Sequence, residues 1–200
     1  MKELTLGLRQ SKKDKTRLKL LEAALLLFGQ QGFEVTNINQ IAATVEISPR
    51  TLLRYFPTKE DIVLSWLEES MSGFLAGLVH RAEQEPIMDA LISSARELLA
   101  LYASRKDFYL SLERVIESSP QISARKHAMT AQLADEVADI IAKKVSTESP
   151  QLSLERHLYP NVLFAIIRVV VTQWVRHDGK ADLQILFSDA LLLVQFQHSN

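Results

Sequence analysis

The chain has 200 residues, 47% of them hydrophobic and 24% charged, with six glycines, six prolines and no cysteine. That length suits one or two domains with a sizeable core, about 70% of the unfolded surface being buried, and the lack of cysteine excludes disulfides and thiolate metal sites. The net charge of −1 is uneven: residues 1–60 carry ten Lys/Arg against six Asp/Glu, and residues 61–200 carry thirteen against eighteen. A basic N-terminal third on an acidic body points to a polyanion partner for that third alone.

Helical periodicity runs almost throughout and β-branched alternation is scarce, which predicts an all-α fold of about nine helices. Residues 1–13 read as a flexible basic tail. Leu18, Leu21, Leu25 and Phe28 share one face of a first helix. Gly32 supplies a left-handed stop, and Phe33 follows where it can pack back onto the last turn. Thr36 or Asn37 caps a short helix over 38–45. Ser48 caps another, with Pro49 at the favoured first position. That helix ends before Pro57, because the residue preceding a proline is pushed out of the α region. Thr58, with Asp61 three residues on, opens a fourth helix over 58–85. Pro86, Pro120, Pro150 and Gly179 punctuate the remainder into helices over 87–105, 107–118, 121–146, 152–177 and 181–196. The shift from basic to acidic composition places a boundary between two domains, 1–60 and 61–200. The strictly apolar runs 162–167 and 190–194 fall well short of a membrane span. With no apolar stretch of signal-peptide length at the start, a cytoplasmic protein without a membrane partner is expected.

Two short helices joined by Glu46, Ile47 and Ser48, and preceded by a longer one, describe a helix-turn-helix within a three-helix unit. The second short helix lies in "SPRTLLRYFPTKE", residues 48–60. Arg50 and Arg54 are four apart and share one face, while Leu52 and Phe56 share the opposite one. One face suits the DNA major groove and the other a small core. Ser48, Pro49 and Thr51 stand at the N-terminal end, where base edges are met. Arg50 suits guanine O6 and N7, and Arg54 suits a base edge or a phosphate. Tyr55 and Lys59 are expected on phosphate, with Thr36 and Asn39 on the backbone of the other strand and Asn37 among the DNA-binding residues. The start of the fourth helix, at 58–60, offers N–H groups to a phosphate.

The stretch "LLEAALLLFGQQGFEVTNINQIAATVEISPRTLLRYFPTKEDIV", 20–63, resembles the DNA-binding domain of the TetR/AcrR family of bacterial transcriptional regulators from end to end. The family pattern is met by Ala23-Ala24, Phe28, Gly32-Phe33, Thr36-Asn37, Ile41-Ala42 and Tyr55-Phe56-Pro57-Thr58-Lys59. Two positions depart from it: Glu46 stands where the tight turn usually has glycine, and Leu53 where Tyr or Phe is frequent. A non-glycine residue in the left-handed region costs roughly 1–2 kcal/mol. The stretch 112–145 is similar to the subgroup with a mycofactocin-regulator-like C-terminal domain. The resemblance implies an all-helical homodimer with a helix-turn-helix head over 1–60 and a larger ligand-binding and dimerisation body over 61–200. It implies a regulator, by default a repressor, released from a palindromic operator by a small-molecule effector. A helical small-molecule-binding protein without regulated DNA binding is the alternative reading.

In the body, Trp66, Phe74, Tyr102, Phe108, Tyr109, Met129 and Leu133 are expected to face inward around a mainly apolar cavity. Arg114, set in apolar sequence, is placed to anchor an acidic group or to pair at the surface with Glu113 or Glu117. A hydrophobic or amphipathic effector follows. The last two helices are apolar nearly all round, which calls for burial on more than one side. A four-helix interface between two copies meets that need, with Leu163, Ile166, Val170, Trp174, Leu183, Phe187 and Leu191 at the contact. No phosphate loop, nucleophile elbow or dinucleotide fingerprint is present, and the five histidines lack metal spacing. No enzyme activity, metal or other cofactor is therefore expected.

Overall fold

The computed structural model describes residues 2–144 and 149–194, with side chains described from Lys15 onward. Among the described residues the chain forms nine helices and no strand. They are α1 (Lys2–Gln31), α2 (Ile38–Thr44), α3 (Pro49–Tyr55), α4 (Lys59–Arg81), α5 (Ile87–Ser104), α6 (Lys106–Ser118), α7 (Pro120–Lys144), α8 (Pro150–Arg176) and α9 (Leu183–Leu193). Every expected helix is found, with ends moved by a few residues. The stretch 1–13 differs from the expected tail, because α1 already begins at Lys2. Its Lys, Leu, Arg and Gln residues are good helix formers and only Gly7 argues against continuation. The fourth helix ends at Arg81 rather than 85: Gln84 and Glu85 turn their N–H groups back to the Arg81 carbonyl (2.8 and 3.0 Å), and Pro86 disfavours the α region just before it. The expected ends at 146 and 195–196 lie outside the described residues.

The chain divides into two compact units, Met1–Leu67 with Ser111–Ser123, and Glu68–Leu110 with Ala124–Asn200. This differs from a single boundary at residue 60. The start of α4 brings buried Ile62, Val63, Leu64 and Leu67 to the first unit, and the segment from α6 into α7 brings buried Leu112, Val115, Ile116 and Ile122. These apolar residues belong with the basic head because a three-helix unit alone offers little to bury against. In that first unit α2 packs on α1 and α3. Leu21, Leu25 and Phe28 form the buried face of α1 as expected, and Phe33 meets Phe28 edge-on at 4.8 Å between ring centres. Gly32 takes φ +94° and closes α1 through its N–H on the Phe28 carbonyl (2.9 Å).

In the second unit α9 packs on both α5 and α8. By length and composition alone α8, like the stretch Pro49–Arg81, could cross a bilayer. Its Leu163, Phe164, Ile167, Val170, Val171 and Trp174 are instead buried within the unit. The helix starts at a Ser149 cap that accepts the Leu152 N–H (3.2 Å). It ends in a Schellman turn: the Gly179 N–H donates to the Trp174 carbonyl (2.9 Å) and the Asp178 N–H to that of Val175 (3.0 Å).

Two turn residues give opposite predictions. Gly179 has φ +65°, and a Cβ there would lie 2.6 Å from Lys106 Cε, 3.1 Å from Leu110 Cδ1 and 3.2 Å from Trp174 Cζ2. Gly179→Ala is expected to cost about 1–3 kcal/mol through strain and overpacking. Glu46→Gly removes a non-glycine residue from φ +55° and is expected to stabilise by up to about 1 kcal/mol. Calorimetric melting of the two variants beside the parent checks both signs.

Candidate nucleic-acid interface

The turn between α2 and α3 is built by reciprocal caps. Asn37 opens α2 by accepting the Gln40 N–H at Oδ1 (3.1 Å), and Gln40 Oε1 accepts the Asn37 N–H (2.9 Å). The helix closes when Ile47 N–H donates to Ala42 O (3.0 Å) and Glu46 N–H to Ala43 O (3.2 Å), with Glu46 in the left-handed region. Ser48 then opens α3, its Oγ accepting the Thr51 N–H (3.1 Å) and lying 2.8 Å from Thr51 Oγ1. Pro49 takes the first helical position.

The two faces of α3 separate as the i, i+4 spacing requires. Leu52 and Phe56 are buried, and the Arg17 guanidinium lies 5.2 Å from the Phe56 ring centre. Ser48, Pro49, Arg50, Leu53 and Arg54 are exposed, and Thr51 and Tyr55 are half-buried. The Arg54 guanidinium leans over the Tyr55 ring at 5.8 Å. Asn37 and Asn39 are exposed on α2. The structure thus brings Ser48, Pro49, Arg50, Thr51, Arg54 and Tyr55 together on one short helix, with the α2 asparagines on the helix before it.

Two expected DNA contacts have other work. Thr36 is 1% exposed. Its hydroxyl donates to the Gly32 carbonyl (2.7 Å) and accepts from Gln31 Nε2 (3.0 Å), so it ties the end of α1 to the following loop and is withdrawn from any phosphate. Lys59 is also turned inward. Its ammonium donates to the carbonyls of Phe33 (2.7 Å), Glu34 (3.1 Å) and Thr36 (3.2 Å) and sits 4.3 Å from the Phe33 ring centre. Three carbonyls and a ring face use its donors, which makes it a clamp between the start of α4 and the α1–α2 connection. The start of α4 is not bare either. Thr58 and Asp61 exchange hydrogen bonds of 2.8–3.1 Å in a capping box, and the carboxylates of Glu60 and Asp61 in the first turn oppose a phosphate there.

The body residues separate too. Tyr102 stacks on Tyr109 with centres 4.0 Å apart, and Trp174 meets Tyr102 edge-on at 6.2 Å. Phe108 adds an edge contact to Tyr109 at 5.2 Å, and Phe74 pairs with Phe164 at 5.5 Å. Tyr102, Tyr109, Phe74 and Leu133 are buried, whereas Phe108 and Met129 are half-buried. Trp66, half-buried, and Arg114 belong to the first unit. Arg114 is exposed, which corrects its placement as an inward anchor: on α6 the inward positions go to Leu112, Glu113, Val115 and Ile116.

The expected interface residues need the larger correction. Leu163, Ile166, Val170, Trp174, Leu183 and Phe187 are all buried inside one chain, because α8 and α9 turn these faces toward their own unit. Leu191 alone of that set is half-buried. The exposed large apolar residues are Leu152, Leu154, Leu158 and Val169 on α8 and Ile185, Leu192 and Leu193 on α9. The spacings of four (Leu154 to Leu158) and seven (Ile185 to Leu192) were readable in the sequence, but which side of each helix faces out was not.

Comparison with known proteins agrees with this architecture. The profile described as "Bacterial regulatory proteins, tetR family" matches residues 20–65, and that of the MftR C-terminal domain matches 85–197. The chain belongs to the TetR family of DNA-binding transcriptional regulators. It is 30% identical to the HTH-type transcriptional regulator TcmR of Streptomyces glaucescens, over 92% of this chain and 85% of that protein. It is 26% identical to the fatty acid metabolism regulator protein of Bacillus subtilis, over 91% and 95%. Among solved structures, the Thermus thermophilus FadR, a TetR-family repressor in complex with lauroyl-CoA, shares the fold at a TM-score of 0.57. It has 22% identity and covers 92% of this chain and 96% of that one.

The clamp predicts a result on the isolated protein. Lys59→Met keeps the apolar stem and removes the ammonium, leaving three loop carbonyls to water. A loss of about 1–3 kcal/mol in thermal or urea unfolding is expected. A surface lysine whose job is to meet a phosphate would leave stability nearly unchanged without DNA.

Proposed function

We propose that the protein is a repressor that binds a palindromic operator as a homodimer and is released by a hydrophobic or amphipathic small molecule. The observation that carries the DNA side is α3: a capped helix with Leu52 and Phe56 buried and Arg50 and Arg54 exposed. In the helix-turn-helix arrangement that outer face enters the major groove, with half-sites ~34–36 Å apart. We assign base edges to Arg50 and a base or phosphate to Arg54, with Ser48, Pro49 and Thr51 at the groove end. Tyr55, Asn37 and Asn39 are assigned to phosphate. Such a protein works on genomic DNA, hence in the cytoplasm, and by binding alone rather than by catalysis.

For the effector, the support is the aromatic cluster of Tyr102, Tyr109, Phe108 and Trp174 in the second unit, where Phe108, like Met129, is only half-buried, together with the lauroyl-CoA bound to the Thermus relative. Helix α4 starts at the Lys59 clamp in the first unit and continues into the second, so it is the element through which occupancy would act. Whatever factor the effector takes from DNA affinity, DNA must take from effector affinity. Acyl-CoAs of increasing chain length are expected to raise the melting temperature and weaken operator binding together. Stabilisation by small polar compounds only would refute the amphipathic reading.

For the homodimer, the exposed apolar stripes of α8 and α9 are the support. Val169 and Ile185 are 49% and 61% exposed in one chain. A two-fold contact between two copies buries them. Light scattering is expected to give twice the chain mass of 22.6 kDa. Val169→Asp is expected to give soluble, folded monomers, whereas Val170→Asp, one residue on but buried, is expected to unfold.

On operator DNA, Arg50→Ala is expected to cost about 1–3 kcal/mol and to relax preference at one position of each half-site. Titrations on operator and scrambled duplex at several salt concentrations check this; equal weakening on both would remove Arg50 from base recognition.

A further inference from the structure

The outer face of α3 carries a second strip beside the cationic one. Pro49 and Leu53 are four apart, as are Arg50 and Arg54, and all four residues are exposed. Leu53 is 46% exposed. It has no part in the small core, where Leu52 and Phe56 of the same helix do the packing. Its neighbours on that face are the two arginines and the capped N-terminal turn of Ser48 and Thr51.

A leucine side chain has no donor or acceptor. It can make no hydrogen bond to a phosphate, to the edge of a purine, or to the amino group of cytosine. The one apolar group that base pairs display in the major groove of ordinary DNA is the C5-methyl of thymine. Burying an exposed leucine methyl against that group removes apolar surface of both partners from water. Each arginine can supply charge and guanine recognition at the same time, since the two strips face the same groove from adjacent lines of one helix.

We propose that Leu53 is a specificity-determining residue that reads the C5-methyl of one thymine in each operator half-site. The inference rests on the DNA-binding reading of α3 and adds a base identity to it.

The test uses the full-length protein. Binding sites are first selected from a random duplex library. Each thymine of the selected duplex is then replaced in turn by deoxyuridine, which keeps the pairing and every hydrogen-bonding atom and removes only the methyl. Affinities are measured for the parent, Leu53→Ala and Leu53→Gln, the last keeping side-chain length while adding an amide. The parent is expected to lose about fourfold per half-site at one thymine, the factor to which roughly 0.8 kcal/mol for one buried methyl corresponds. Both variants are expected to bind the thymine and deoxyuridine duplexes equally at that position. Because Leu53 is exposed, both variants should melt as the parent does. If no thymine shows the penalty, or if the penalty persists in both variants, Leu53 does not read a methyl although α3 still binds DNA. If no sequence is selected at all, the DNA-binding reading falls and this assignment with it.

Discussion

The first unit hangs on one ammonium group. The α1–α2 connection leaves helix at Gly32 and re-enters it at Ile38, so its carbonyls lose intrahelical partners. Lys59, at the first position of α4, takes three of them. Thr36 fixes the same loop from within through Gly32. With that loop held, Asn37 can open α2 in register, the left-handed turn at Glu46 can follow, and Ser48 can present α3 with its apolar side inward. The reading face is therefore positioned by contacts that never touch it.

The second unit poses a different physical question, namely how a helix apolar on most sides divides its surface. On α8 the residues at 163, 166, 167, 170, 171 and 174 are buried, and those at 154, 158, 165 and 169 are exposed. The division follows the 3.6-residue period. Both halves carry apolar residues, so composition alone does not say which face meets the rest of the chain. Within the chain the larger residues take the inner side: Trp174 meets Tyr102 of the stacked Tyr102–Tyr109 pair, and Phe164 pairs with Phe74. The outer side mixes leucine, alanine and valine with Gln151, His157, Asn161 and Arg168.

This marks where reading the sequence succeeds and where it stops. Local signals carried well: Gly32, the Ser48-Pro49 start, the Thr58–Asp61 box and Gly179 each end or begin a helix by short-range hydrogen bonds or sterics. The four-residue spacing of Arg50 with Arg54, and of Leu52 with Phe56, assigned the two faces of α3 correctly. What was lost depends on partners distant in sequence. Lys59 lies 23 to 26 residues from the carbonyls it holds, and a lysine beside a DNA-reading helix looks the same whether it points to a phosphate or to the protein. Thr36 was legible as a polar residue near a helix start but not as a buried one. The inner row of α8 was misplaced for the same reason, and the choice between anchor and surface residue for Arg114 stayed open, since periodicity gives the faces of a helix and not their direction.

The way the helices are shared has a consequence for how the chain can be made. The first unit takes its N-terminal 67 residues from one stretch and Ser111–Ser123 from another. It is therefore not complete until residue 123 has been synthesised, by which time the later part of α4, all of α5 and the first residues of α6, which belong to the other unit, have also emerged. Folding during translation cannot proceed as head first and body second, as it does for beads on a string. A fragment cut after α4 would leave out Leu112, Val115, Ile116 and Ile122, four buried apolar residues of its own core. The DNA-reading part of this protein is contiguous as a motif and discontinuous as a folding unit.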